Sequence, residues 1–221
     1  MAVHEAAERY DDALNLLYQV HRWAPEDPDL WLRMGVLSFL MTDRAWLKRV
    51  GKEDAHLADQ GAVNAELYLD KAAALSGQGA RYVFWAGWVR HKLYQQDERA
   101  RVSLEEAAAT GYPYARAALA RLELALATPG YAERALAHLD AAIAVLPESA
   151  RFHYDRGACL AGLGRDMEAR EAFGHARACP ALPPTPDAAG RYLAAEFQAD
   201  GEAVGILIDR LYPQLAKLNK L

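Results

Sequence analysis

SARFHYDRGACLAGLGRDMEAREAFGHARACP, residues 149–180, is the stretch that decides the fold. Its first half carries Tyr154, Gly157 and Leu160 on a helical segment. Gly162 and Gly164 then punctuate a turn, and Gly164 suits a left-handed cap. The second half carries Ala169, Phe173 and Ala176 at i, i+4, i+7, one face of a second helix, and Pro180 closes it. The small residues let the two helices approach closely.

The second-helix triplet recurs as Ala65-Leu69-Ala72, Ala100-Leu104-Ala107 and Ala135-Leu139-Ala142, so the four copies follow one another at steps of 35, 35 and 34 residues. A weaker copy, Ala203-Leu207-Arg210, follows 34 residues later. Self-similarity at this period marks a repeat architecture, in which helix pairs stack because no single pair buries its apolar face alone.

The pattern resembles the tetratricopeptide repeat, a helix–turn–helix unit of about 34 residues. That family places a small residue at repeat position 8, alanine at 20, an aromatic or leucine at 24, alanine at 27 and proline at 32. Here these are Gly157, Ala169, Phe173 and Ala176, with Pro180 one or two places early. The same frame fits Tyr10 to Leu14 with Leu17, Val20 and Pro25, then Trp31, Met34 and Gly35, then Gly87 with Ala100. The stretch Ala107-Ala108, Gly111, Ala115 and Leu119-Ala120 is similar to the related Sel1-like variant. Together the frames cover residues 9 to 210. The resemblance implies an all-α fold: a right-handed α-solenoid of stacked antiparallel helix pairs, about five repeats plus terminal capping helices.

The chain is thus expected to form one domain over 1–221: an N-terminal helix within 1–25, repeats at 26–76, 80–110, 113–147 and 149–180, and an irregular C-terminal pair or cap at 187–221. Two departures stand out. Gly35 to Ala65 spans 30 residues where the family needs about 12, so some 18 residues are inserted near 41–61. The chain also opens on a second-type helix, so either a first helix is missing or residues 2–23 form one capping helix. The connector Pro180 to Pro186 cannot be helical throughout. Thr185 or Asp187 can cap the next helix, and Lys217 and Lys220 suit its C-terminal end.

Hydrophobic residues make up 52% of the chain and charged residues 25%, enough to fill a core and too patterned for disorder. The net charge of −5 suits a soluble protein and offers no basic surface for nucleic acid. Cys159 and Cys179 do not make a disulfide framework. The opening MAVHEAAERYDDAL lacks a secretory pattern, and no apolar run of ~18 residues appears. A cytoplasmic location is expected, with no membrane span.

No phosphate loop, GxSxG elbow or HExxH motif is present, so no catalytic residue and no cofactor is expected. His153, Cys159, His175 and Cys179 fall in one repeat, but without the CxxC or HxxxH spacing of a zinc site, so no metal is expected either.

In the family, positions 2, 5, 6, 9, 12 and 13 of the first helix line a concave peptide-binding groove. The resemblance carries this onto Arg81, Phe84, Trp85, Trp88, His91 and Lys92. The Gly35 repeat supplies Leu32, Arg33, Val36, Phe39 and Leu40; the Gly157 repeat supplies Arg151, Tyr154 and Asp155; the Sel1-like unit adds Tyr114 and Arg121. The helix around Gly87 is apolar all round in its first turns, so it is either buried on both sides or meets a ligand. One reading is an aromatic, basic groove taking a peptide or helix of a partner protein. The other packs the tryptophans against the inserted segment or a neighbouring repeat. The carboxylate clamp of chaperone-binding repeats is absent, because Leu32 or Phe84 stands at position 5 and Val36 or Trp88 at position 9. The insert, with Arg44, Trp46, Lys48, Arg49 and Lys52, is either a further contact surface or a solvated helix extension. The expected function is a non-enzymatic protein-binding scaffold. An RNA-binding helical repeat, or an accessory domain of a larger enzyme or assembly, is the alternative.

Overall fold

The computed structural model describes residues 4–5, 7–51, 55–95, 98–180, 185 and 187–216. The described residues are helical, with no strand among them. They form two compact units: residues 1–110 with 185–192, and residues 111–184 with 193–221. Residues 187–216 thus contribute to both.

The first unit contains α1 (Tyr10–His21), α2 (Pro28–Leu40), α3 (Arg44–Arg49), α4 (Ala55–Leu75), α5 (Ala80–Tyr94) and α6 (Glu98–Ala109). The second contains α7 (Pro113–Leu126), α8 (Tyr131–Val145), α9 (Ala150–Gly162) and α10 (Asp166–Ala178). The tail runs through α11 (Ala188–Leu193), a π-helical turn (Ala194–Gln198), α12 (Gly201–Leu211) and α13 (Pro213–Ala216). Helices pack in the expected pairs, α2 with α4, α5 with α6, α7 with α8 and α9 with α10.

Local chemistry sets the boundaries. Asp27 accepts from the Asp29 amide at 2.9 Å, with Pro28 as the first helical residue of α2. Ser149 accepts from the Phe152 amide at 3.3 Å and opens α9. Gly164 takes the left-handed conformation expected of it, with φ +72°. Asp187, not Thr185, caps α11, through the Gly190 amide at 2.7 Å.

The repeated alanines occupy equivalent places. All four triplets are buried, and the largest exposure among their members is 3%, at Phe173. A Cβ on Gly35 would come within 2.6 Å of Leu69, one on Gly87 within 3.2 Å of Leu104, and one on Gly157 within 2.5 Å of Phe173. Each glycine lets the first helix of its pair press against the position-24 side chain of the second.

Three details differ from the sequence reading. The fifth copy is out of register: Ala203 and Arg210 face solvent, and Gly201, Val204 and Ile208 are the buried residues of α12. A Cβ on Gly201 would sit 2.5 Å from the Arg177 carbonyl, so contact with α10 selects that face. Residues 2–23 are not one helix, because a turn at Ala7–Arg9, with Glu8 at φ 55°, separates α1 from the helical His4 and Glu5. Val20, third in its triplet, is 47% exposed at the end of α1. Lys52, Lys217, Lys220 and most of the proline-rich connector lie outside the described residues.

Candidate functional site

In the first unit the candidate residues converge on Tyr192. Trp85 is fully buried and Trp88 is 2% exposed. The Tyr192 ring packs against Trp85 at 5.7 Å and edge-on to Phe39 at 5.5 Å, and its hydroxyl accepts from Trp88 Nε1 at 3.2 Å. Phe84 is fully buried and stacks on Trp88 at 6.4 Å between ring centres. Val36 is buried too. Arg33 acts at one remove, donating to Glu5 Oε1 at 2.9 Å while Glu5 Oε2 accepts from the Ala188 amide at 2.9 Å. Arg191 donates back to the Glu5 carbonyl. The tail therefore lies against these residues, held by one aromatic slot and one buried carboxylate.

The opposite side of α5 is covered as well. Gly87 meets α6, and Arg90 donates to Glu66 at 3.0 Å and to both oxygens of Asp70 on α4. An all-round apolar helix is therefore buried on both sides, as its composition allowed. At its ends, Arg81 pairs with Asp29 at 3.2 Å, and Lys92 lies over the Trp88 ring at 5.2 Å. His91 is half-buried beside Trp88; burial, reinforced by the charge of Lys92, lowers its pKa.

The inserted helix α3 does not cover the tryptophans of α5. Trp46 stacks on Tyr10 at 5.5 Å and donates to the Glu8 carbonyl at 2.9 Å. Trp85 and Trp88 meet Tyr192 of α11, an occupant that neither reading of the sequence named.

In the second unit the convergence is on Glu196 and Phe197. Arg121 donates to Asp155 Oδ2 at 3.1 Å, to Glu196 Oε1 at 2.9 Å and to the Glu196 carbonyl at 2.8 Å, and lies over the Phe197 ring at 4.7 Å. Phe197 is fully buried, against Tyr114 at 5.7 Å, and its carbonyl accepts from Ser149 Oγ at 2.9 Å. The Gln198 amide donates to the Tyr114 hydroxyl. Arg151 pairs with Asp155 Oδ1 at 2.9 Å and lies over Tyr154 at 5.5 Å. Tyr154 is buried beside Phe173 and Tyr212.

Shape comparison supplies the relation. Two crystal structures of MamA match with TM-scores of 0.52 and 0.51, both at 19% identity; they cover 78% and 82% of this chain and 90% and 92% of theirs. In fold, the chain is similar to MamA. A P212121 crystal form of MamA AMB-1 gives 0.50 at 22% identity, over 79% of this chain and 92% of that one. MamA is a tetratricopeptide-like helical-repeat protein, so the comparison agrees with the fold that the alanine spacing implied. No protein-family model matches the sequence, and no curated protein matches it.

Sequence reading missed the occupants: Glu5, Tyr192, Glu196 and Phe197. Glu196 and Phe197 lie in a π-helical turn, Ala194–Gln198, which a test for 3.6-residue repeats passes over.

No group of three or more His, Cys, Asp or Glu placed to hold a metal occurs among the described residues. No described helix is long and apolar enough to cross a membrane.

Proposed function

We propose that this chain is a non-enzymatic scaffold that binds a helical segment of a partner protein, and that residues 187–198 occupy the binding positions until the partner arrives. One observation carries the reading. In each unit, part of the set assigned to peptide binding by resemblance is engaged by the chain's own tail. Trp85, Trp88 and Phe39 hold Tyr192; Arg121 holds Glu196 and Phe197.

The tail then serves as a template for the partner. It carries an aromatic residue for the tryptophan slot, and an acidic residue followed by an aromatic one for Arg121. Aromatic and arginine anchors of this kind dominate many interfaces. The tail also leaves something unmet: Trp85 Nε1 is buried and has no hydrogen-bond partner among the described residues. A buried donor without an acceptor costs about 1–3 kcal/mol. A partner that brings an acceptor to Trp85 gains that difference over the tail, which is what displacement requires. The basic residues are already matched by carboxylates, so the alternative of RNA binding draws no support from Arg121 or Arg151. The cytoplasm remains the setting this proposal takes, with Cys159 and Cys179 as free thiols.

The test uses a fluorescent peptide of residues 187–199 and the full chain, read by anisotropy. Tyr192→Ala with Phe197→Ala, which weakens the resident segment, is expected to bind the peptide in trans, and wild type to bind it at least about tenfold more weakly. Absence of binding to a folded double variant refutes the proposal.

A further inference from the structure

The insert leaves a cavity of about 400 Å³ in the first unit. Its walls include Leu14 of α1, Trp46 and Leu47 of α3, and Leu57 of α4. Ser38, Gln60 and Asn64 add polar groups, and no ionisable side chain lines it among the described residues. The volume lies within the range of small-molecule sites, roughly 300–1,000 Å³.

Two features separate this cavity from loose packing. Ser38 is 1% exposed, and its hydroxyl has no hydrogen-bond partner among the described residues. A serine inside a helix ordinarily bonds a carbonyl one turn back, and buried polar groups left unsatisfied are rare. The wall is also fastened in place. The ring of Trp46 is stacked on Tyr10, and its N–H is donated to the Glu8 carbonyl. On the far side Gly61 keeps α4 close, since a Cβ there would sit 3.0 Å from the Ser38 carbonyl oxygen and 3.2 Å from Thr42 Cγ2.

We propose that this cavity binds an uncharged small molecule with an aliphatic body and one hydroxyl, which exchanges a hydrogen bond with Ser38 Oγ. An apolar wall takes the chain, Ser38 takes the head, and the described lining offers a carboxylate no counter-charge. Its walls share no residue with those that hold Tyr192, Glu196 or Phe197.

Isothermal titration calorimetry of the full chain with 1-octanol tests it, with octanoate as the charged comparison. Wild type is expected to bind octanol saturably at one site, and octanoate at least about tenfold more weakly. Ser38→Ala keeps a helix-compatible residue and is expected to weaken octanol by about 3–10-fold. Leu57 is 38% exposed at the cavity, so Leu57→Trp fills space from outside and is expected to abolish binding; Asn64→Leu provides a second filling variant if the first does not fold. No saturable binding to wild type overturns the proposal: a trapped water then suffices for Ser38. Binding that survives both filling variants overturns it too, since the alcohol would be partitioning elsewhere.

Discussion

Gly157→Ala tests the repeat frame with a single methyl group. The added Cβ would sit 2.5 and 2.6 Å from Cε1 and Cδ1 of Phe173. Carbon atoms pack at about 3.5–4.0 Å, so roughly 1 Å must be recovered by moving the ring or parting α9 from α10. The ring has little room, being 3% exposed and flanked by Tyr154 at 5.9 Å and Tyr212 at 4.9 Å. Overpacking of this kind costs about 1–3 kcal/mol. Alanine also gains about 1 kcal/mol of helix propensity over glycine, which would mask part of the loss. Gly174 on α10 supplies the control, because a Cβ there meets nothing within 4 Å. Gly174→Ala should therefore stabilise by about 0.5–1 kcal/mol, and the difference between the two variants isolates the clash at about 1–3 kcal/mol. Urea unfolding followed by circular dichroism reads it as a shift in midpoint. If Gly157→Ala stabilises as much as Gly174→Ala, the helices do not nest at Gly157 and the frame is wrong.

Trp85→Ala should destabilise by about 3–5 kcal/mol, the usual cost of removing a large buried ring, read by urea unfolding. Trp88→Phe keeps most of the ring but removes the donor to Tyr192, and should cost about 1–2 kcal/mol in urea unfolding. His153 provides a pH test, because burial, followed by the nearby His175 and Arg156 charges, holds its pKa below the ordinary value despite a bond to the Pro147 carbonyl. The unfolded chain then takes up its proton first, so this contribution is complete above about pH 6.5 and is lost as acidity increases. His153→Gln should flatten the fall in urea midpoint between about pH 7 and 5; an unchanged slope counts against a buried, neutral imidazole.

The pairing of helices was legible because it rests on volume. The alanines at 65, 100, 135 and 169 are all fully buried, so the spacing of small residues in the sequence follows the spacing of the helix pairs. The aromatic positions were legible as a face, but not as an occupied one. Phe39, Trp85, Trp88 and Arg121 stand at positions that the resemblance gives to binding, and the sequence holds no record of what covers them. The coverage depends on a π-helical turn after Leu193 and on Glu5, 183 residues from the Ala188 amide it accepts. The fifth triplet misled for a related reason. Spacing alone put Ala203 inward, whereas the Arg177 carbonyl leaves room only for Gly201 at the contact.

Native-state hydrogen–deuterium exchange over the tail tests the central claim most directly. A segment that yields to a partner must open without unfolding the helices beneath it. Amides of 187–199 should exchange faster than those of α5 and α9 by about tenfold or more, and the Tyr192→Ala, Phe197→Ala variant should widen the gap while α5 and α9 stay protected. Equal protection of tail and helices, lost together in the variant, would make these residues a permanent part of the core and remove the proposed site.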